Sequence, residues 1–215
     1  GCPYGGYFSS NSGTLPWAAR TGNLTIRPHS VVDSIIYDEK LGVATGVKVI
    51  DAQTKKEQVF KAKIIFVNAS ALNTNLILLN SKSKRFPNGL GNDNGLLGTH
   101  ICFHNYRAGM SGEIDGFEDK YYEVRKPAEC IIPNFRNVKR QDTDFVGGYV
   151  IFSGAGRPGW DDKGGIGAGF KDAVSQPGKW NAYMYMQGET IPKASNHVRL
   201  SADKKDQWGI PLLVT

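Results

Sequence analysis

The stretch "EQVFKAKIIFVNASALNTNLILLN", Glu57 to Asn80, changes texture along its length, and its reading decides the fold. It opens as a strand rich in Val, Ile and Phe. It then tightens into the continuous apolar run "IIFV", Ile64 to Val67, which suits a strand buried on both faces and predicts that the chain here enters a larger sheet. The small residues Ala69, Ser70 and Ala71 lead into a predicted helix with Leu72, Leu76, Ile77 and Leu79 on its apolar side. Strand, tight small-residue turn and helix is the geometry in which backbone N–H groups at a helix N-terminus can face a phosphate or nucleotide. The same shape also serves as an ordinary strand-to-helix connection.

Working upstream, "NLTIRPHSVVDSIIYD" gives two short strand-like runs broken at Pro28, and "ATGVKVID" follows. The connections "EKLG" (Glu39 to Gly42) and "AQTKK" (Ala52 to Lys56) are polar and of hairpin size. A three-stranded antiparallel meander is expected. Before it, "SSNSGTLPWAARTGN" predicts a short helix, with Thr14 as N-cap, Pro16 in the first turn and Gly22 at its end.

Downstream of Arg85 the texture changes. "RFPNGLGNDNGLLG" is a loop-rich joint, and beyond it glycines, aromatics and short alternating runs predict a broad, mostly antiparallel sheet. In "WNAYMYMQGE", Trp180 to Glu189, the side chains of Asn181, Tyr183, Tyr185 and Gln187 alternate with Ala182, Met184 and Met186. Tyr183, Tyr185 and Gln187 are candidate contacts for a hydroxylated substrate, since aromatic rings with polar tips line such pockets. Ordinary amphipathic strand surface accounts for the same alternation. The fold class expected is α+β with an α/β remnant, in two parts: residues 1–90, and residues 91–215 built on the antiparallel sheet with flanking helices.

Composition narrows the function. With 215 residues and 40% hydrophobic content the chain can bury a core. No apolar run is long enough to cross a bilayer as a helix, and no leader opens the chain. The compartment is left open. The net charge of +6 is spread over "KKEQ", "KSKR", "NVKR" and "DKKD" beside acids and turn residues, with no basic stripe, so nucleic acid is not an expected partner. Cys2, Cys102 and Cys130 lack zinc-ligand spacing, and no metal site is expected; they read as free thiols, with one disulfide possible.

"YVIFSGAGRPGWDD" places Gly154, Gly156 and Gly159 in the spacing of a dinucleotide fingerprint. That fingerprint needs a helix directly after its third glycine. Pro158 and the glycines Gly164, Gly165, Gly167 and Gly169 argue against one, so the triplet is expected to belong to a glycine-rich loop with no dinucleotide on it.

Three segments resemble the glucose-methanol-choline (GMC) family of flavin-dependent oxidoreductases. They are "GNLTIRPHSVVDSIIYD" with "ATGVKVID", "FVNASALNTNLILLNS", and "ETIPKASNHVRLSADKKDQWGIP". The third is similar to the family's pattern at Glu189, Pro192, Asn196, Val198, Leu200, Asp206, Gly209, Ile210 and Pro211. Within the family the resemblance is to bacterial sugar and polyol dehydrogenases grouped with the gluconate dehydrogenase large subunit. It implies FAD as cofactor, with the Val31 backbone at the adenine and Ala69, Ser70 and Ala71 near the ADP half. It also implies a partial FAD-binding domain over residues 1–90 and a substrate-binding domain over 91–215. The implied activity is oxidation of a CH–OH group of a sugar, polyol or other alcohol, with an electron-acceptor subunit as a possible partner.

"LGTHICFH" is similar to a family stretch that commonly ends in Asp-His, with Phe103 here in place of the acid. His29, His100, His104 and His197 are expected to be structural or surface residues, and no catalytic residue is assigned. The family's own glycine fingerprint and its catalytic histidine have no counterpart in this sequence, and the closing "IPLLVT" reads as a strand lacking its continuation. The chain is therefore expected to be a central portion of such an enzyme, inactive alone and binding FAD weakly or not at all. A rival reading makes it a non-enzymatic carbohydrate-binding module using Trp180, Tyr183 and Tyr185.

Overall fold

A short helix, α1 (Thr14–Arg20), precedes the meander, with Gly13 rather than Thr14 at its cap position and Gly22 at φ 72° just beyond it. Strand β1 (Ser30–Asp38) pairs antiparallel with β2 (Val43–Asp51), and β2 with β3 (Glu57–Lys61), in the order β1-β2-β3. An aspartate closes each turn. Asp38 Oδ1 accepts the N–H groups of Lys40 (2.8 Å) and Leu41 (2.9 Å), and Gly42 supplies the positive φ of 69°. Asp51 Oδ1 accepts those of Gln53 (3.0 Å) and Thr54 (2.7 Å). Short acidic side chains that take their own downstream N–H groups stabilise such turns locally. The structure, a computed structural model, describes residues 8–120, 130–141, 144, 147–157, 165–175 and 178–215, and of residues 106 and 107 only the backbone.

The Asp51 turn carries a pH prediction. Hydrogen bonds from Thr54, first its N–H, hold the Asp51 carboxyl below the ordinary carboxylate range. A depressed carboxyl stabilises the fold above its unfolded pKa, and the contribution is lost as pH falls through the folded value. Acidification should therefore shift the Gln53 and Thr54 amide resonances together, in a transition below that of an ordinary aspartate. In Asp51→Asn that transition should vanish, and its survival would show that another group governs the turn.

Two expected strand runs differ from the structure. Residues 23–27 form no strand, and neither does "IIFV": β3 ends at Lys61, with Ile64 and Phe66 72% and 81% exposed. An apolar run becomes a doubly buried strand only where neighbouring strands supply hydrogen-bond partners. No described residues pair with this run.

Helix α2 (Ser70–Asn80) follows, and its last turn is bolted to β1. Asn80 Nδ2 donates to the carbonyl and to Oδ1 of Asp33, at 3.0 Å each. The buried Ser81 hydroxyl accepts the Ile35 N–H at 2.7 Å and donates to the Ile77 carbonyl at 2.6 Å. Lys48 on β2 adds ion pairs to Asp33 (3.2 Å) and Glu57 (3.1 Å). The helix also packs against β8 (Arg199–Lys205) and β9 (Pro211–Val214), an antiparallel pair near the other end of the chain. Between these elements lies the core: Ile35, Val49, Ile50, Ile77, Val198 and Ile210 are the buried apolar side chains among the described residues.

That packing divides the chain into two compact units, Gly1–Gly98 with His197–Thr215, and Thr99–Asn196. The C-terminal hairpin, grouped by the sequence reading with the second part, thus lies in the first unit. Its "DQWGIP" forms the turn. Asp206 Oδ1 accepts the N–H groups of Trp208 (2.8 Å) and Ile210 (3.0 Å), Gly209 takes φ 85°, and Trp208 Nε1 donates to the Ala52 carbonyl at 3.2 Å. The spacing that carries the resemblance is here a structural device.

The second unit is the expected antiparallel sheet. Its strands β4 (His104–Ile114), β5 (Cys130–Pro133), β6 (Tyr149–Gly156) and β7 (Trp180–Glu189) run in the order β4-β7-β6-β5, every neighbour antiparallel. A short helix, α3 (Ala168–Ser175), lies between β6 and β7 in sequence and contains Gly169, which the glycine count argued against. Gly169 sits in its first turn, where a helix tolerates glycine better than in its interior. Gly154 and Gly156 lie inside β6, not in a loop; Gly159, Gly164 and Cys2 lie outside the described residues.

Candidate functional site

Ala69, Ser70 and Ala71 form the start of α2. Ala69 occupies the cap position, no side chain caps the helix, and Ser70 and Ala71 are exposed. Four N–H groups at the start of any α-helix lack intrahelical partners, and here small side chains leave them open to whatever lies in front. Ser70 also adopts a left-handed φ of 63°, a conformation that costs a residue with a β-carbon about 1–3 kcal/mol. Nothing in the sequence signals this. The C-terminal end is the opposite case, since Leu78 O accepts N–H groups from both Ser81 and Leu90.

Val31 lies near the start of β1, opposite Ile50. Beside it a cavity of about 260 Å³ opens, lined by Arg27, Ser30, Asp51 and Gln58 among others. Arg27 is held over the Phe60 ring at 4.4 Å and donates to Gln58 Oε1 at 3.4 Å. The contacts that join α2 to β1 run through Asn80 and Ser81, at the far end of a helix about 16 Å long. Val31, half-buried, and the Ala69–Ala71 turn both belong to the first unit.

In the second unit the predicted aromatic face of β7 is built. Tyr185 stacks on Phe152 across the strand pair (centroids 5.2 Å, 16° between planes) and on Tyr183 along its own strand (6.3 Å, 17°). Gln187 is opposite Val150, further along the same face. Tyr183 lines an open cavity of about 600 Å³, together with Met110, Ser153, Gly154 and Met184; Tyr185 and Gln187 do not. A second open cavity, of about 730 Å³, lies where β4 begins and β7 ends, lined by Cys102, Phe103, His104, Asn105, Glu189, Thr190 and Pro192. The sequence reading noted "LGTHICFH" and "ETIP" only as resemblances. Their register signal, His104 opposite Glu189, exists once the strands are paired.

His29, His100, His104 and His197 are all exposed, and Cys102 and Cys130 are free thiols on the surface. Among the described residues no group of three or more His, Cys, Asp or Glu is arranged to hold a metal ion. No described helix is long and apolar enough to cross a membrane.

The first unit thus presents a helix N-terminus on a small-residue turn, and the second an antiparallel sheet with an aromatic face. The chain matches the family model of the GMC oxidoreductases over residues 1–105, just under half of its length. Over 98% of its length it is 28% identical to a 2-methyl-1,2-propanediol dehydrogenase of Mycolicibacterium austroafricanum. It spans 39% of that relative's length.

Proposed function

We propose that this chain works as part of a longer FAD-dependent oxidoreductase that oxidises a CH–OH group of a small polyol, sugar or other alcohol. In this reading residues 1–90 contribute to the FAD-binding domain, and within 91–215 the strands β4 to β7 carry the substrate-facing sheet, the C-terminal hairpin packing with the first unit. The observation that carries it is the uncapped, exposed start of α2 at Ala69, Ser70 and Ala71, inside the stretch that matches the family. These residues fit the ADP half of FAD, because small side chains let a phosphate approach the free N–H groups and the positive end of the helix dipole. Val31, half-buried on the edge strand β1, suits an adenine edge.

When bound, FAD supplies the acceptor for the hydride that leaves the alcohol carbon. In the second unit, Tyr183, Tyr185 and Gln187 orient the hydroxylated substrate, rings against its carbon faces and polar tips toward its hydroxyls. No described histidine is assigned as the base. The diol named for the relative supports a small polyol as substrate, and in this reading a partner subunit supplies the electron acceptor. The wide exposure of Met110 (72%) and Ile131 (58%) on the sheet supports a chain that functions with further polypeptide against it.

The test is FAD binding by flavin fluorescence quenching, run on this chain and on the full-length polypeptide, with alcohol turnover read by an artificial acceptor. Quenching and turnover are expected of the longer polypeptide, and weak or no quenching of this chain alone. Turnover by this chain alone would overturn the division of labour, and no flavin binding by either would overturn the function. The stacked row of Phe152, Tyr185 and Tyr183 also favours a second reading, a carbohydrate-binding module without catalysis. Sugars that leave tryptophan fluorescence unchanged at millimolar concentration, about the weakest useful affinity for such a module, would remove it.

A further inference from the structure

Gly154 stands in β6, an internal strand of the second unit, directly opposite Tyr183 of β7. Glycine weakens a strand interior, and where one persists another group often approaches the backbone closely. That group is identifiable here. A β-carbon built on Gly154 would lie 2.7 Å from Tyr183 Oη, 2.9 Å from Cζ and 3.1 Å from Cε1. The outer half of the phenol ring thus lies over the α-carbon of Gly154, in the space a side chain would occupy.

The consequences pass along the face. Tyr183 is near-parallel to Tyr185, at 17°, and Tyr185 is near-parallel to Phe152, at 16°. Gly109, opposite Tyr185 on β4, is a second point where the face carries no side chain. The three rings therefore lie in one low row, and only the outermost of them, Tyr183, rests on a glycine and lines the 600 Å³ cavity. A methyl group at position 154 would meet the far end of a side chain, not backbone. The strand can stay where it is, and the ring must lift or swing away.

We propose that Gly154 is a positioning residue: it sets the place of the Tyr183 phenol and so the shape of the substrate-facing surface. This inference rests on the reading of Tyr183 as a substrate contact. It also gives the glycine that resembles part of a dinucleotide fingerprint a different role, as space for a ring.

The experiment uses Gly154→Ala, Tyr183→Ala and the double variant in the full-length enzyme, with steady-state kinetics and near-UV circular dichroism. Gly154→Ala should shift the tyrosine band and raise KM for the alcohol about fivefold with kcat changed less than about twofold, the pattern of lost uniform binding. Tyr183→Ala should raise KM similarly, and adding Gly154→Ala to it should do nothing more, because the ring that the methyl displaces is gone. An unchanged tyrosine band in Gly154→Ala, or a KM effect that adds in full to that of Tyr183→Ala, overturns the positioning role. So does a shifted band with unchanged KM where Tyr183→Ala raises it. If the band shifts in Gly154→Ala but neither single variant alters KM, the positioning of the ring stands and its reading as a substrate contact fails.

Discussion

Replacing Gly98 with alanine is expected to destabilise the first unit by about 3 kcal/mol, a large share of the 5–15 kcal/mol that holds a typical domain. Gly98 has φ 85°, in the left-handed region, and a β-carbon there would lie 2.5 Å from the carbonyl oxygen of Val198. The obstacle is backbone, so it cannot swing aside as a side chain would. It belongs to a residue whose N–H donates to the Gly98 carbonyl at 2.7 Å and whose side chain is buried. Left-handed strain contributes about 1–2 kcal/mol and a disturbed backbone hydrogen bond about 1 more. Gly95 is the internal control. It has φ 70° with nothing within 4 Å of the added carbon, so Gly95→Ala should cost only the strain. Urea unfolding followed through the first unit should give a lower midpoint for Gly98→Ala than for Gly95→Ala, at equal slope. Equal midpoints would mean that the approach of Val198 does not matter.

Gly98 also illustrates where sequence reading stops. Its place in "LGTHICFH" contributed to the family resemblance, but the group that demands a glycine there, Val198, is a hundred residues away in the chain. The hairpins were legible because their causes are local: Asp38 and Asp51 bind N–H groups two and three residues on, and the apolar alternation lies within each strand. β7 was legible to the residue for the same reason, and so was the stacking face, since Tyr183 and Tyr185 are two apart on one side of a strand. "IIFV" was misread because double burial depends on strands elsewhere, and composition cannot say whether they pair. Gly154 was placed in a loop because clustered glycines usually mean turns. Its cause is a ring on the neighbouring strand.

The second large effect is expected at Ser81. Its hydroxyl is buried at the end of α2, accepting from Ile35 N–H and donating to Ile77 O, and so ties the helix to the first strand of the meander with one oxygen. In Ser81→Ala the Ile77 carbonyl loses a donor. The Ile35 N–H loses its acceptor where water cannot replace it, since Ile35 is itself 7% exposed. An orphaned buried donor costs about 1–3 kcal/mol, more than the net value of an ordinary hydrogen bond, because its desolvation is no longer compensated. The β1 ladder is irregular on both sides of Ile35, between Val32 and Ser34 and between Ile36 and Tyr37. Hydrogen exchange should report the change locally, with Ile35 losing protection before the rest of β1 and α2 follow. Ser175→Ala, which removes an exposed hydroxyl bond to the Asp172 carbonyl, should stay within about 0.5 kcal/mol of the parent. If Ser81→Ala is equally silent, a rearranged backbone or a water has taken the place of the hydroxyl, and the anchoring of α2 must come from Asn80 and the Ile77 packing alone.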